Sequence, residues 1–114
     1  MAQRDWLIPF ATFRDGVEAD KFRAVVGLRH GSMRTLLYAP KGSDPQTPHE
    51  QDEIYIIQSG SGVFDKTGEK RPFGPGDVIF VEARAEHRFE SFSDDFAVWA
   101  VFWGPPGGEA QEQS

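Results

Sequence analysis

Short runs of alternating apolar and polar residues, separated by glycine- and proline-rich turns, recur along most of the chain. Between Lys21 and Arg29, one parity is apolar throughout and Gly27 is a candidate bulge; the residues of that parity are Phe22, Ala24, Val26 and Leu28. Residues 34–39 follow a His-Gly-Ser turn and are expected to form the partner strand. Alternation is typical of half-buried strands, because successive side chains point to opposite faces. About eight to ten such strands, with no sustained helical period, predict an all-β sandwich or barrel.

The two ends of the chain depart from this pattern. The apolar stretch 6–13 contains Pro9, which predicts an edge strand or a covering arm, since proline cannot donate in a central ladder. A polar connector follows over 14–20. Residues 105–114 are rich in proline and glycine and then polar, which predicts a disordered tail. We therefore expect a single domain over 1–104, including the N-terminal arm.

The stretch 96–103, FAVWAVFW, is apolar on both parities, so both faces of this strand need cover. The N-terminal arm is one candidate for the second face, and a partner subunit is the other. We expect a homodimer that buries part of this surface.

Composition narrows the class of protein. A chain of 114 residues is the size of one domain, and the absence of cysteine excludes disulfides, thiolate metal sites and a cysteine nucleophile. A net charge of −6 argues against nucleic acid and anionic membranes as partners. No apolar run approaches the roughly 20 residues needed to span a bilayer, and the N-terminus has no signal-peptide layout. We expect a cytoplasmic protein that binds neither nucleic acid nor a membrane.

Candidate chemistry is concentrated in residues 47–62, TPHEQDEIYIIQSGSG. The segment passes from a polar loop into a strand rich in isoleucine and then into a glycine turn. Since residues of equal parity share a face, we expect His49, Gln51, Glu53 and Tyr55 to lie on the same side of this strand.

A second polar turn brings His87 to the start of a later strand, after the Gly-Pro-Gly-Asp turn at 74–77 and the apolar strand 78–81. If the two hairpins close against one another, His49, Glu53 and His87 form a set of two histidines and one carboxylate. Such a set suits Fe(II), and its nitrogen and oxygen ligands also accept Mn, Ni or Zn. The third histidine, His30, lies in a predicted turn and is expected to be solvent-exposed.

These two stretches resemble the paired motifs of the cupin superfamily, which are small barrels of the jelly-roll, or double-stranded β-helix, type. The first cupin motif contains a His-x-His pair, a Glu and then a Gly. His49, Glu53 and Gly60 stand at that spacing, and Thr47 occupies the place of the first histidine. The second motif is matched at Gly76 and His87, whereas its Pro, Gly and Asn are replaced by Glu82, Arg84 and Ser91. The resemblance covers about residues 40–102.

The resemblance implies a jelly-roll barrel that holds a divalent metal ion (Fe, Mn, Ni or Zn) through His49, Glu53 and His87. A threonine hydroxyl is a far weaker ligand than imidazole, so the fourth position of the family is open to Thr47, to Gln51 or to water. Tyr55 or Gln51 is expected to orient the substrate. The alternative is a metal-free cupin in which His49 and Glu53 hydrogen-bond across the mouth of the barrel.

Two classes of function follow from the resemblance. The first is a metal-dependent enzyme acting on a small molecule by a dioxygenase-like or isomerase-like reaction. The second is a non-catalytic module that binds a small ligand or a metal. Arg23, Arg29 and Arg34 are candidates for contact with an anionic substrate, because a guanidinium binds carboxylate or phosphate in bidentate fashion. For each of them, a surface position is the alternative.

Overall fold

The structure is a computed structural model that describes residues 5–110, and it contains eight strands and one helix in that range. The helix α1 comprises Phe10–Ala19. The strands, in chain order, are β1 (Ala24–His30), β2 (Met33–Tyr38), β3 (Asp52–Ser59), β4 (Gly62–Lys66), β5 (Glu69–Phe73), β6 (Val78–Val81), β7 (His87–Glu90) and β8 (Ala97–Trp103).

The strands form two antiparallel sheets, as expected for the predicted all-β jelly roll. The larger sheet has the order β1-β2-β8-β3-β6, and the smaller one has the order β5-β4-β7. Apolar side chains from both sheets pack into one core, in which aromatic rings predominate. The buried members of this core are Tyr55, Ile57, Phe64, Phe73, Val81, Phe89, Phe96, Val98, Ala100 and Phe102.

Aromatic contacts between the sheets set the position of β3 relative to β7. The ring of Tyr55 on β3 lies 4.8 Å from that of Phe89 on β7 and 5.9 Å from that of Phe64 on β4, both edge to face. Edge-to-face packing is a favoured geometry for aromatic pairs. These contacts hold the beginning of β7, and therefore His87, opposite the inward face of β3.

The N-terminal segment is helical, so the edge strand predicted over residues 6–13 and the connector over 14–20 are wrong. Pro9 precedes the first helical turn with φ of −59°, and proline is well tolerated at a helix N-terminus because its missing N–H needs no partner there. Phe13 and Val17 are buried on one face of the helix. The Phe13 ring packs edge-on against Trp99 of β8 at 4.8 Å, so α1 covers the strand as the expected arm would.

The first part of the predicted disordered tail is hydrogen-bonded to the barrel. The amide of Gly107 donates to the Glu50 carbonyl at 2.6 Å, and that of Glu109 donates to the buried carboxylate of Asp52 at 2.8 Å. Disorder is therefore wrong for residues 105–110, because Asp52 provides a buried acceptor that composition alone did not indicate. Residues 111–114 lie outside the described range. No described helix has the length and apolar character needed to cross a membrane.

Gly27 lies at the predicted bulge, where the β1–β2 register shifts between Val26 and Leu28. A Cβ atom built on this glycine would overlap the ring of Phe13. The missing side chain therefore allows α1 to pack directly on the sheet.

We predict that Gly27→Ala lowers the free energy of unfolding by about 2 kcal/mol, because an added methyl group in a filled core displaces its neighbours. Urea denaturation monitored by tryptophan fluorescence measures the change. Gly74→Ala is the matched control, since a Cβ there meets no atom within 4 Å and φ is not positive. Equal stability of the two variants would contradict close packing of α1 on β1.

Candidate functional site

The three residues predicted as metal ligands converge at one end of the barrel. Each of the three residues His49, Glu53 and His87 has one potential ligand atom within 4.8 Å of those of the other two. Glu53 Oε1 is 3.5 Å from His87 Nε2 and 3.9 Å from His49 Nε2. The structure thus brings together one imidazole from the second half of the chain and the His–Glu pair from the first, as expected. Their role as metal ligands stays a prediction.

Each side chain of this cluster is held by a different part of the fold. Glu53 points inward from β3, where it pairs with Phe102 of β8 and Val81 of β6. His49 lies on the loop before β3, and its carbonyl accepts a hydrogen bond of 2.5 Å from the Arg84 amide. Arg84 has φ of 68°, in the left-handed region that favours glycine, which is the residue that the family motif has there.

The tautomer of His87 follows from its backbone contact. Nδ1 lies 2.8 Å from the Ala85 carbonyl oxygen, which can only accept, so Nδ1 carries a proton. In the neutral imidazole, Nε2 then presents its lone pair to the cluster. Orientation of a histidine through its other ring nitrogen is usual at metal sites.

Glu53 is a buried carboxylate, and one of its two oxygens lacks a hydrogen-bond partner among the described residues. The residue is 1% exposed, and the oxygen without a partner is Oε1. Burial raises the pKa of Glu53, against the opposing effect of His87. Burial by itself would lower the pKa of His87, but the Glu53 carboxylate and the Ala85 carbonyl outweigh it, so the pKa of His87 is raised. The cluster therefore stabilises positive charge at His87 Nε2.

His49 behaves differently from His87. Burial, together with the charges of His87 and Arg34, lowers the pKa of His49 to about 4. Its imidazole is therefore neutral at pH 7, which is the form that binds metal ions.

Gln46 also reaches the cluster, which sequence parity did not predict. Its Oε1 lies 3.1 Å from His49 Nε2 and 3.1 Å from the Tyr55 hydroxyl. Its Nε2 donates to Asp44 at 2.8 Å, and since a carboxylate only accepts, the amide must be oriented with its oxygen toward the cluster. Because an amide oxygen only accepts, His49 Nε2 carries the proton in this arrangement and donates it to Gln46 Oε1, and a metal ion bound at Nε2 would replace that proton.

Asp44 anchors the loop that carries Gln46. It is 2% exposed and accepts hydrogen bonds from the Tyr38 hydroxyl at 2.6 Å and from the Phe89 amide at 2.9 Å. These contacts tie the loop to β2 and β7 at once. The only sequence signal for this role is an aspartate between Gly42 and Pro45, and turns commonly contain aspartate at such places.

Of the three residues predicted as further ligands or substrate contacts, only Tyr55 reaches the cluster. Tyr55 lies in the cluster, with its hydroxyl 3.1 Å from His87 Nε2. Burial and the nearby Glu53 raise the pKa of Tyr55, so the phenol keeps its proton and can donate. Thr47 is exposed. Gln51 donates to the Ser32 and Gly104 carbonyls at 3.0 Å each, so it does not take the fourth ligand position.

A cavity of about 400 Å³ opens beside the cluster, between β1, β2, β3 and β8. His49, Glu53, Gln46 and Tyr55 form its polar wall. Its apolar wall consists of Phe22, Ala24, Leu36, Pro45, Ala100 and Phe102. A mostly apolar cavity with a few convergent polar groups is typical of small-molecule sites.

The donor set fits a divalent metal ion. It comprises two imidazole nitrogens, one carboxylate oxygen that lacks a hydrogen-bond partner and one oriented amide oxygen. Nitrogen and oxygen ligands without thiolate suit Fe, Mn, Ni or Zn. A cation at Glu53 Oε1 would also remove the cost of burying an unpartnered carboxylate oxygen.

Sequence comparison identifies the family. Residues 34–103, more than half of the chain, match the family described as Cupin_2, cupin domain, to which the chain therefore belongs. The uncharacterized protein SCO3923 of Streptomyces coelicolor is 37% identical over 81 residues, covering 69% of this chain and 76% of that protein. The HTH-type transcriptional activator RhaS of Yersinia pestis is 34% identical over 67 residues, which cover 59% of this chain and 24% of RhaS. The matched segment thus corresponds to only about a quarter of RhaS.

Solved structures confirm the jelly-roll fold. A cupin 2 conserved barrel domain protein from Salinispora arenicola matches with a TM-score of 0.64 and 23% identity, covering 91% of each chain. The DMSP lyase DddQ from Ruegeria pomeroyi matches with a TM-score of 0.64 and 23% identity, covering 88% of this chain and 56% of that chain. At such identities, the similarity establishes the fold alone.

Proposed function

We propose that this protein is a metal-dependent cupin that acts on a small molecule. His49, Glu53 and His87 would hold a divalent ion, with the oxygen of Gln46 as a fourth ligand in place of the missing motif histidine. The observation that carries this proposal is Glu53 Oε1, a buried carboxylate oxygen without a hydrogen-bond partner that lies 3.5 Å from His87 Nε2. Membership of the cupin family supports it, as do the neutral His49 and the oriented His87.

The chemistry of the site depends on both the ion and the chain. A bound divalent ion supplies a Lewis acid that polarises substrate oxygens. The raised pKa of Tyr55 keeps its phenol protonated, so it can donate a hydrogen bond beside the ligand cluster. Phe102 and Leu36 form part of the apolar wall of the cavity, against which the apolar part of a substrate would pack. A dioxygenase-like or isomerase-like reaction is the proposal from the family resemblance.

The second candidate is a non-catalytic module that binds a small ligand or a metal. The similarity to part of RhaS favours it, since RhaS is described as a transcriptional activator. Turnover separates the two candidates: the enzyme converts its ligand after loading with metal, whereas the module releases the ligand unchanged.

We predict that protein purified without chelator contains about one equivalent of Fe, Mn, Ni or Zn per chain, because two imidazoles and a carboxylate form a workable site. Elemental analysis by mass spectrometry measures the content. The double variant His49→Ala, His87→Ala is expected to fall to background.

His30→Ala is the matched control for this double variant, because His30 is exposed at the end of β1 and does not belong to the cluster. It should retain the metal content of the unaltered protein. Metal at background in the unaltered protein, after incubation with each of the four ions and gel filtration, would contradict the proposal.

We predict that Gln46→Ala weakens the affinity for Zn²⁺ about tenfold, since the loss of a ligand or of a residue that orients one typically has an effect of this size. Competition with a chelating dye measures the dissociation constant. Thr47→Ala should leave the affinity unchanged, because Thr47 is exposed. If Thr47→Ala weakened the affinity for Zn²⁺ and Gln46→Ala did not, the fourth ligand would be Thr47 and not Gln46.

We also retain the homodimer as a proposal. The outward face of β8 is covered by α1 at Trp99, which leaves the neighbouring outward residues of β3 and β6 uncovered. Ile56, Val78 and Phe80 are 38%, 64% and 48% exposed, respectively. An exposed apolar patch rimmed by polar residues is typical of a subunit interface. The cytoplasmic location and the absence of a nucleic-acid partner stay predictions from composition.

We predict a particle of twice the chain mass of 12.8 kDa at micromolar concentration, because a second copy would cover this patch. Sedimentation equilibrium measures the mass. The double variant Val78→Lys, Phe80→Lys should be monomeric, whereas Leu7→Lys, which changes an exposed residue near the N-terminus, should remain dimeric. A monomeric unaltered protein would exclude the dimer.

A further inference from the structure

Among the described residues that line the cavity beside the ligand cluster, Arg34 of β2 is the one cationic side chain. The guanidinium carbon lies 4.7 Å from the centre of the Phe102 ring. Within the described residues, no carboxylate lies at ion-pair distance from Arg34, and its guanidinium donates a hydrogen bond to the neutral amide of Gln51. Among the described residues, therefore, no acidic partner neutralises the charge of this arginine.

Gln51 fixes the position of Arg34 without removing its charge. The two hydrogen bonds from Gln51 Nε2 to the Ser32 and Gly104 carbonyls orient the amide, so that Oε1 faces the guanidinium at 3.2 Å. A glutamate at this position would form an ion pair with Arg34, whereas the glutamine orients it and leaves its charge available. The Phe102 ring restrains the other side of the guanidinium by stacking.

Arg34 differs in this respect from Arg23, which was also a candidate for anion contact. Arg23 pairs with Glu18 at 3.3 Å and donates to the Ala39 carbonyl at 2.6 Å, so its guanidinium is already occupied. Arg29 is exposed near the end of β1 and does not line the cavity. Arg34 alone of the three lines the cavity that contains His49 and Glu53.

We propose that the cavity binds a small organic carboxylate, with the carboxylate on Arg34 and an apolar body against Phe102 and Leu36. The far end of the ligand would then lie at His49 and Glu53, and this part of the inference rests on the proposed metal function. A guanidinium binds a carboxylate through two parallel N–H···O bonds, which add geometric specificity as well as energy. One arginine near the Glu53 carboxylate suits a monoanion better than a doubly charged phosphate.

The experiment compares acids with their uncharged amides of nearly equal shape. The probes are benzoate and benzamide, 3-phenylpropionate and 3-phenylpropionamide, and hexanoate and hexanamide, titrated into the full-length protein by calorimetry. We expect at least one acid to bind at least tenfold more tightly than its amide. In the unaltered protein, the side-chain Nε–H resonance of Arg34 should shift when that acid binds, and this readout needs no variant.

Arg34→Met should abolish the preference for the acid while the metal content of the protein stays unchanged. Arg34→Lys serves if the Met variant does not fold, and it should reduce the preference because an ammonium lacks the planar pair of donors. Arg14→Met is the control for the loss of one positive charge, since Arg14 is exposed on α1, and it should bind the acids as the unaltered protein does.

Three results would overturn the inference: no acid binds more tightly than its amide, the preference survives in Arg34→Met, or phenylphosphonate binds more tightly than every carboxylate. The metal proposal is judged separately. If the protein binds no metal but keeps an Arg34-dependent preference for the acid, the carboxylate site stands and the metal proposal fails. If the protein binds metal but shows no preference for the acid, the metal proposal stands and the carboxylate site fails.

Discussion

A carboxylate inside an aromatic barrel is the constraint on which this site depends. Glu53 is almost fully buried, and one of its oxygens has no hydrogen-bond partner among the described residues. An isolated charge in such a place is strongly destabilising unless it is paired or binds a cation. Two imidazole nitrogens lie 3.5 and 3.9 Å from Glu53 Oε1, and the raised pKa of His87 indicates that positive charge is favoured beside Glu53. The barrel therefore provides a place for a cation, and a proton on His87 is the alternative to a metal ion.

Polar contacts outside the cluster hold the side chains around Glu53 in position. Asp44 ties the loop before β3 to β2 and β7, and it turns the amide oxygen of Gln46 toward His49. The Ala85 carbonyl fixes the ring of His87 through Nδ1. These supporting contacts already order the side chains proposed as ligands, so the entropic cost of binding an ion there would be lowered.

Much of the fold and part of the site could be predicted from sequence, because local signals and the family resemblance coincide there. Alternating side chains and glycine turns predicted the strands, and the motif spacing predicted that His49, Glu53 and His87 lie together. The helix was missed because Pro9 and Gly16 disrupt its pattern, although Phe13 and Val17 stand four residues apart on one face. Gln46 was missed because it precedes the strand, where side-chain parity gives no information about direction. Gln51 shares the parity of Glu53, but contacts with the Ser32 and Gly104 carbonyls from distant segments determine its position.

The most direct test of a cation at Glu53 is a crystal structure of protein purified without chelator, with diffraction data collected on both sides of the absorption edge of the metal found in the sample. We predict an anomalous difference peak between Glu53 Oε1 and the Nε2 atoms of His49 and His87, within bonding distance of all three. A well-ordered site without such a peak, with Glu53 hydrogen-bonded directly to a protonated His87, would contradict the metal proposal.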